Sequence, residues 1–175
     1  STLPKIDLVM GGSPCQGFSL AGKQLAFDDP RSMLFFEFVK CVKELNPKYF
    51  LLENVKMKKE YLDIISEYMG VEPIFINSSL VSAQSRQRYY WTNIPNVTSP
   101  EERGIVLRDI LEDYPNENPV KHTERNARHL KQLDDKSLCM TATMYKGAGN
   151  NGMTLVPQHK ELDHLKQFKI KDETV

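Results

Sequence analysis

The sequence predicts an α/β fold with a partial, doubly wound parallel sheet and a small mixed appendage on its C-terminal side. Short apolar runs without polar alternation are typical of strands that are buried on both faces. Segments with apolar residues at helical spacing alternate with these runs through the first half of the chain. After Pro95 the composition changes to Pro, Asn and charged residues, which indicates a different kind of structure.

The first elements read as strand, helix, strand and helix. Asn46-Pro47 ends the first predicted helix, because a residue before proline disfavours the helical conformation. Gly70 ends the second, because glycine commonly terminates helices in the left-handed conformation. The four segments span residues 6–10 (strand), 31–46 (helix), 49–52 (strand) and 57–68 (helix).

Two further strands are predicted at residues 73–80 and 88–94, both rich in β-branched or aromatic residues. Little sequence separates them, so we expect the last strand to be antiparallel and to lie at the sheet edge. Because ligands bind outside the carboxyl ends of parallel strands, residues 11–19 and Glu53-Asn54 should converge there.

We place a domain boundary near residue 98. Residues 1–98 form the predicted catalytic segment, and residues 99–175 form an appendage with a short helix at 106–111 and a Gly/Asn-rich stretch at 147–152.

Charge and cysteine content limit the possible functions. Lys plus Arg equals Asp plus Glu at 23 each, so any affinity for nucleic acid must come from local patches such as Lys56, Lys58 and Lys59, or residues 121–136. Such patches are more often plain solvated faces than binding sites. No apolar run is long enough for a membrane span, so no membrane partner is expected. The three cysteines are widely spaced and outside any CxxC pattern, which argues against a disulfide framework and a structural zinc site. We expect the chain to stay in a reducing compartment.

Cys15 is the strongest candidate for chemistry. It lies in GGSPCQGFS, directly after the first predicted strand, in a turn where glycines permit close backbone approach. A lone cysteine is more often a small buried hydrophobe, so its neighbours in sequence must decide between the two interpretations.

Those neighbours resemble a known family. DLVMGGSPCQGFS (7–19) is similar to the active-site signature of the DNA cytosine-C5 methyltransferases. ENV (53–55) and QSRQR (84–88) resemble two further motifs of that family, in the same order. DPRSMLFFEF (29–38) resembles its segment beside the cofactor adenine.

The resemblance implies a Rossmann-like methyltransferase sheet and transfer of a methyl group from S-adenosylmethionine to C5 of cytosine. Cys15 would attack C6 as a thiolate, Glu53 would hydrogen-bond or protonate N3, and Arg88 would donate to O2. Arg86 would hold the glutamate or the backbone in place. The remaining predicted contacts are Pro14 and Leu34 toward the cofactor, and Ser13, Gln16, Asn54 and Gln84 toward the substrate, with Asn54 more suited to bracing the loop.

The substrate implied by the resemblance is double-stranded DNA with the target cytosine flipped out of the stack. The loop at residues 16–29 is then the natural flap, and residues 99–157 occupy the place of the family's target-recognition region. We expect a cytoplasmic enzyme of bacterial or phage restriction-modification, or a nuclear one in a eukaryote.

The family's FxGxG segment, the acidic residue after it and a closing motif find no match in this sequence, so the S-adenosylmethionine site is incomplete. We therefore expect the chain to be inactive alone, whether as an excised portion, one subunit of a split enzyme with a second chain, or a remnant. A first residue of Ser rather than Met favours excision.

Two alternatives remain open. A non-catalytic DNA- or partner-binding remnant of the same fold would keep the sheet without transfer. A thiol-dependent redox or hydrolytic enzyme would need a histidine beside Cys15, yet all four histidines (122, 129, 159 and 164) lie in the polar C-terminal part.

Overall fold

The computed structural model of the chain describes residues 4–12, 33–111, 127, 129–141 and 154–156. These residues belong to two compact units. The first contains the described residues of Ser1–Asn77 and Gln87–Glu101, and the second contains those of Ser78–Arg86 and Glu102–Val175. Whether residue 98 divides the chain functionally remains a prediction.

A four-stranded mixed sheet forms the first unit, with strand order β1-β2-β4-β3 in the described residues. β1 and β2 are parallel, whereas β4 runs antiparallel to both β2 and β3. The elements are β1 (Leu8–Gly12), α1 (Met33–Leu45), β2 (Tyr49–Val55), α2 (Lys59–Met69), β3 (Ile74–Asn77) and β4 (Gln87–Thr92).

The antiparallel direction of the last strand is confirmed, but its predicted edge position is wrong. β4 lies between β2 and β3, so its aromatic run QRYYWT hydrogen-bonds to a strand on each side. The segment that joins β3 to β4 is a turn of 3₁₀ helix (Ser78–Leu80) and loop without an α-helix, which permits an antiparallel return. The observed architecture is mixed α/β, and a doubly wound arrangement remains a prediction.

Both helices pack on one face of the sheet. A Cβ at Gly11 would come within 2.6 Å of the Phe38 ring, so α1 approaches β1 as closely as glycine allows. On β2 the residues facing the helices are buried, while Glu53 and its alternate neighbours face the other way. The buried core of this face consists of Phe35, Val39, Phe50, Leu52, Met57, Ile65, Met69 and Trp91.

Each helix ends at a residue in the left-handed region. Asn46 has φ 42° and donates its N–H to the carbonyl of Val42 at 3.0 Å. Gly70 has φ 68° and donates to Ser66 at 2.8 Å. These caps satisfy carbonyls that helix termini leave open, and they stop the helices where the sequence predicted.

The second unit has little regular structure among its described residues. The predicted helix at 106–111 is a single 3₁₀ turn, Leu107–Asp109. Two isolated bridges, Gln84 with Ser137 and Leu130 with Leu155, connect otherwise irregular segments.

Candidate active site

Glu53 lies near the carboxyl end of β2, on the sheet face opposite the helices. In the strand register it pairs with Gly12, the last residue of β1, and with Tyr90 of β4. The carboxylate therefore lies where the two parallel strands end together, which is where open α/β sheets bind ligands. This convergence of Gly12 and Glu53 agrees with the expectation from sequence.

Arg88 is the cation beside Glu53. Its Nε lies 2.6 Å from Oε1 of Glu53, and the side chains of Arg88 and Glu53 are 14% and 32% exposed. The buried Nε–H finds no acceptor with hydrogen-bond geometry among the described residues, so the contact is an ion pair with poor alignment. The Nη1 group donates to the carbonyl of Gln87 at 2.7 Å, which fixes the guanidinium against its own strand.

Gly12 leaves room for the Glu53 carboxylate. A Cβ at Gly12 would lie 3.0 Å from Oε2 of Glu53, a distance at which the carboxylate would have to move. Gly12 is also the last described residue before the predicted nucleophile segment. Ser13, Pro14, Cys15 and Gln16 all lie outside the described residues, so the structure gives no distance from Cys15 to Glu53.

Asn54 faces away from Glu53. Its side chain is 1% exposed, on the helix-covered face, and its Oδ1 accepts the backbone N–H of Val55 at 2.8 Å. Leu34, predicted to contact the cofactor, lies in the first turn of α1 and is 51% exposed.

Gln84 and Arg86 belong to the second unit. The backbone of Gln84 bridges to Ser137, and Nη1 of Arg86 donates to the Cys139 sulfur at 3.3 Å. Sequence reasoning did not connect residues 136–139 with the QSRQR motif, because 53 residues separate Arg86 from Cys139 and no periodicity joins them.

The described basic patch has its own acidic partners. Lys59 pairs with Asp63 at 2.7 Å, which raises the pKa of Lys59, and Lys58 lies 3.8 Å from Glu60. Of the four histidines only His129 is described, and it is 2% exposed. In the described part of the chain no three His, Cys, Asp or Glu side chains form a possible metal site, and no helix there is long and apolar enough to cross a membrane.

The parallel strands β1 and β2 thus bring Gly12 beside Glu53, and Arg88 lies against the Glu53 carboxylate, at the end of the sheet where open α/β folds bind ligands. Comparison with known proteins specifies the class. The model of the C-5 cytosine-specific DNA methylase family matches residues 1–169, so the chain belongs to that family.

Individual relatives are bacterial and phage methyltransferases. The chain is 57% identical to the type II methyltransferase M.Eco47II of Escherichia coli over 187 aligned positions, covering 85% of this chain and 45% of the relative. It is 50% identical to M.FnuDI of Fusobacterium nucleatum over 145 positions, which cover 71% and 42% of the two chains. It is 39% identical to the orphan methyltransferase M.SPRI of Bacillus phage SPR over 149 positions, which cover 77% and 31%. The chain thus spans less than half the length of these relatives.

Proposed function

We propose that this chain carries the nucleophile and the cytosine-binding groups of a DNA (cytosine-5)-methyltransferase. The observation that carries the proposal is the Glu53–Arg88 pair, at 2.6 Å, beside Gly12 at the end of β1. Family membership supports the same reaction.

The pair matches one edge of cytosine. N3 and O2 are adjacent acceptors on the ring, and both gain negative charge when a nucleophile adds to C6. In the proposed transition state a proton is shared between Glu53 and N3 while Arg88 donates to O2, which stabilises that charge.

Chain length keeps Cys15 near this pair. Cys15 follows Gly12 by three residues, which span at most about 11 Å of extended backbone. Its thiolate forms the S–C6 bond and makes C5 nucleophilic, and bound S-adenosylmethionine would supply the methyl group and leave as the thioether. A base then takes the C5 proton while the S–C6 bond breaks, which releases the Cys15 thiolate and restores the aromatic ring.

Double-stranded DNA is the proposed substrate, with the cytosine flipped into the site at a cost of a few kcal/mol. For the other predicted substrate contacts we propose that Gln84 and Arg86 organise their loop, and that the buried Asn54 braces β2 rather than touching the base. Ser13 and Gln16 flank the nucleophile and remain proposed base or phosphate contacts.

The S-adenosylmethionine site needs more than the described residues provide. Leu34 is the one predicted cofactor contact among them, and a single leucine that is 51% exposed does not enclose a ligand. We therefore assign no step of the reaction to a cofactor pocket in this part of the chain.

We further propose that additional polypeptide, in the same chain or in a second one, packs beside β1. Within the described sheet β1 is an edge strand, and on the face away from the helices Leu8 is 43% and Met10 is 64% exposed. Apolar residues at such a position are suited to contact with another strand and the layer that covers it. By this proposal residues 1–175 are inactive alone.

The test is transfer of labelled methyl groups to cytosine-containing DNA, followed by nucleoside analysis. We use "full-length protein" for residues 1–175 together with this proposed additional polypeptide, in one chain or two. We expect 5-methylcytosine from the full-length protein and none from residues 1–175 alone. Glu53→Gln should lower kcat by about 10²- to 10⁴-fold, as loss of a general acid does, whereas Glu60→Gln, an exposed carboxylate in α2, should have no effect. Equal activity of Glu53→Gln and wild type would contradict the proposal.

A second candidate is a non-catalytic DNA- or partner-binding remnant of the same fold. It is favoured by the exposure of Leu34, the one predicted cofactor contact among the described residues. It predicts DNA binding with no methyl transfer, even when the remainder of a relative is supplied.

A further inference from the structure

Lys136 makes an unusual set of contacts for a lysine within a charged stretch. Its side chain is 23% exposed, and its ammonium donates to the carbonyls of Ser79 (2.7 Å), Ser82 (3.3 Å) and Ile105. Glu102 supplies the counterion at 3.2 Å. One cation thus connects three separate segments of the second unit.

These contacts converge on the turn that leads into the QSRQR motif. Ser79 and Ser82 precede Gln84, and the Ser82 hydroxyl donates to the carbonyl of Ser78 at 2.9 Å. The Ser78 hydroxyl in turn donates to the carbonyl of Gln84 at 2.8 Å. The carbonyls that Lys136 holds are therefore part of the same hydrogen-bonded turn as Gln84.

Residues next to Lys136 hold the other side of the motif. The N–H of Ser137 donates to Ala83 at 2.6 Å, and the carbonyl of Ser137 accepts the N–H of Ser85 at 2.9 Å. Cys139 accepts from Arg86 at 3.3 Å. Residues 136–139, here called the brace, thus contact Ala83, which precedes the motif, and the motif residues Ser85 and Arg86.

We propose that Lys136 is a positioning residue for the Gln84–Arg86 segment, and that it acts through the turn at residues 78–82. Hydrogen bonds to a charged donor are stronger than neutral ones, and carbonyls that lose such a donor are left unsatisfied. Without the ammonium, the carbonyls of Ser79 and Ser82 lose a charged donor, and the turn at residues 78–82 becomes less stable. The Gln84–Arg86 segment is then held less firmly against the brace. The catalytic consequence rests on the proposed methyltransferase function, whereas the bracing itself does not.

The test compares Lys136→Met and Lys136→Gln with wild type in the full-length protein. Lys40→Met is the charge-matched control, because Lys40 is 63% exposed and lies on α1. Hydrogen exchange of the Ser85 and Ser137 amides reports on the brace, and kcat and KM for DNA report on the reaction.

We expect Lys136→Met to speed exchange at Ser85 and Ser137 by about tenfold or more, as loss of charged hydrogen bonds predicts. Amides of β2 and β4 should keep their protection. The kcat/KM for DNA should fall by about tenfold or more with little change in KM for S-adenosylmethionine. Lys136→Gln keeps two amide donors, so it should show the same pattern more weakly.

Unchanged exchange at Ser85 and Ser137 in both variants would overturn the proposal. So would loss of protection throughout the protein in both, since Lys136 would then be a general structural residue. If wild-type protein transfers no methyl group, the proposed function fails, while exchange at Ser85 and Ser137 still decides whether Lys136 braces the turn.

Discussion

The two glycines at the end of β1, Gly11 and Gly12, face opposite sides of the sheet. Gly11 faces α1, where a Cβ would lie 2.6 Å from the Phe38 ring, and Gly12 faces Glu53, where a Cβ would lie 3.0 Å from Oε2. Alternation along the strand thus directs one glycine to the core and the next to the site.

Alanine at each position should separate stability from activity. We predict that Gly12→Ala displaces the Glu53 carboxylate and lowers kcat by about tenfold or more, with a small change in the free energy of unfolding. Gly11→Ala should instead destabilise the fold by about 1–3 kcal/mol through overpacking against Phe38. Kinetics combined with urea denaturation measures both effects, and the reverse pattern would contradict this assignment of the two faces.

We predict that Arg88 contributes to the rate of methyl transfer through its contact with Glu53, in addition to any contribution to stability. Arg88→Ala removes the cation 2.6 Å from Glu53, so we predict a loss in kcat of about 10²-fold, typical of a lost charge-stabilising donor. Lys40→Ala serves as the control, because its ion pair with Glu44 is exposed. Near-normal methyl transfer by Arg88→Ala would show that this guanidinium does not contact the reacting ring.

The sequence allowed Glu53 and Arg88 to be predicted as residues of one site, because motifs fix residue types and order. Their direct contact could not be predicted, since it depends on β4 pairing with β2 in the register that sets Val55 opposite Arg88. Strand register depends on long-range packing that short motifs do not record.

At the scale of elements, the sequence pattern of β4 predicted a strand correctly but not the position of that strand in the sheet. Its continuous aromatic run indicated a strand, and the same lack of polar alternation is typical of a strand with neighbours on both sides. The short connection from β3 suggested an edge position instead. In the structure Trp91 is fully buried opposite Leu52, which requires an interior strand.

The contact between Trp91 and α2 gives a test of how the sheet and helix layers are joined. Nε1 of Trp91 donates to the Ser66 hydroxyl at 3.0 Å in the buried core. Ser66→Ala leaves that donor unsatisfied, so we predict a loss of about 1–3 kcal/mol in unfolding free energy. Trp91→Phe combined with Ser66→Ala should cost less than the sum of the single changes. Full additivity in this double-mutant cycle would mean that the hydrogen bond contributes nothing.

At the scale of the whole molecule, the proposal that additional polypeptide packs beside β1 depends on the exposed residues Leu8 and Met10. Met10→Asp should leave the unfolding free energy of residues 1–175 within about 0.5 kcal/mol, as for other surface changes. It should abolish the methyl transfer that is gained when the remainder of a close relative is added. The matched control is Ile110→Asp in the second unit, because Ile110 is 57% exposed and Met10 is 64% exposed. Equal complementation by Met10→Asp and wild type would contradict the proposed packing beside β1.

The central claim is that Cys15 attacks a cytosine held by Glu53 and Arg88. The most direct test is covalent trapping on DNA that contains 5-fluorocytosine, with S-adenosylmethionine present and the full-length protein as enzyme, followed by mapping of the modified peptide. We predict a stable adduct on Cys15 that survives Cys41→Ser and Cys139→Ser, disappears in Cys15→Ser and forms more slowly in Glu53→Gln. Tight DNA binding without an adduct, or an adduct on Cys139, would contradict the account.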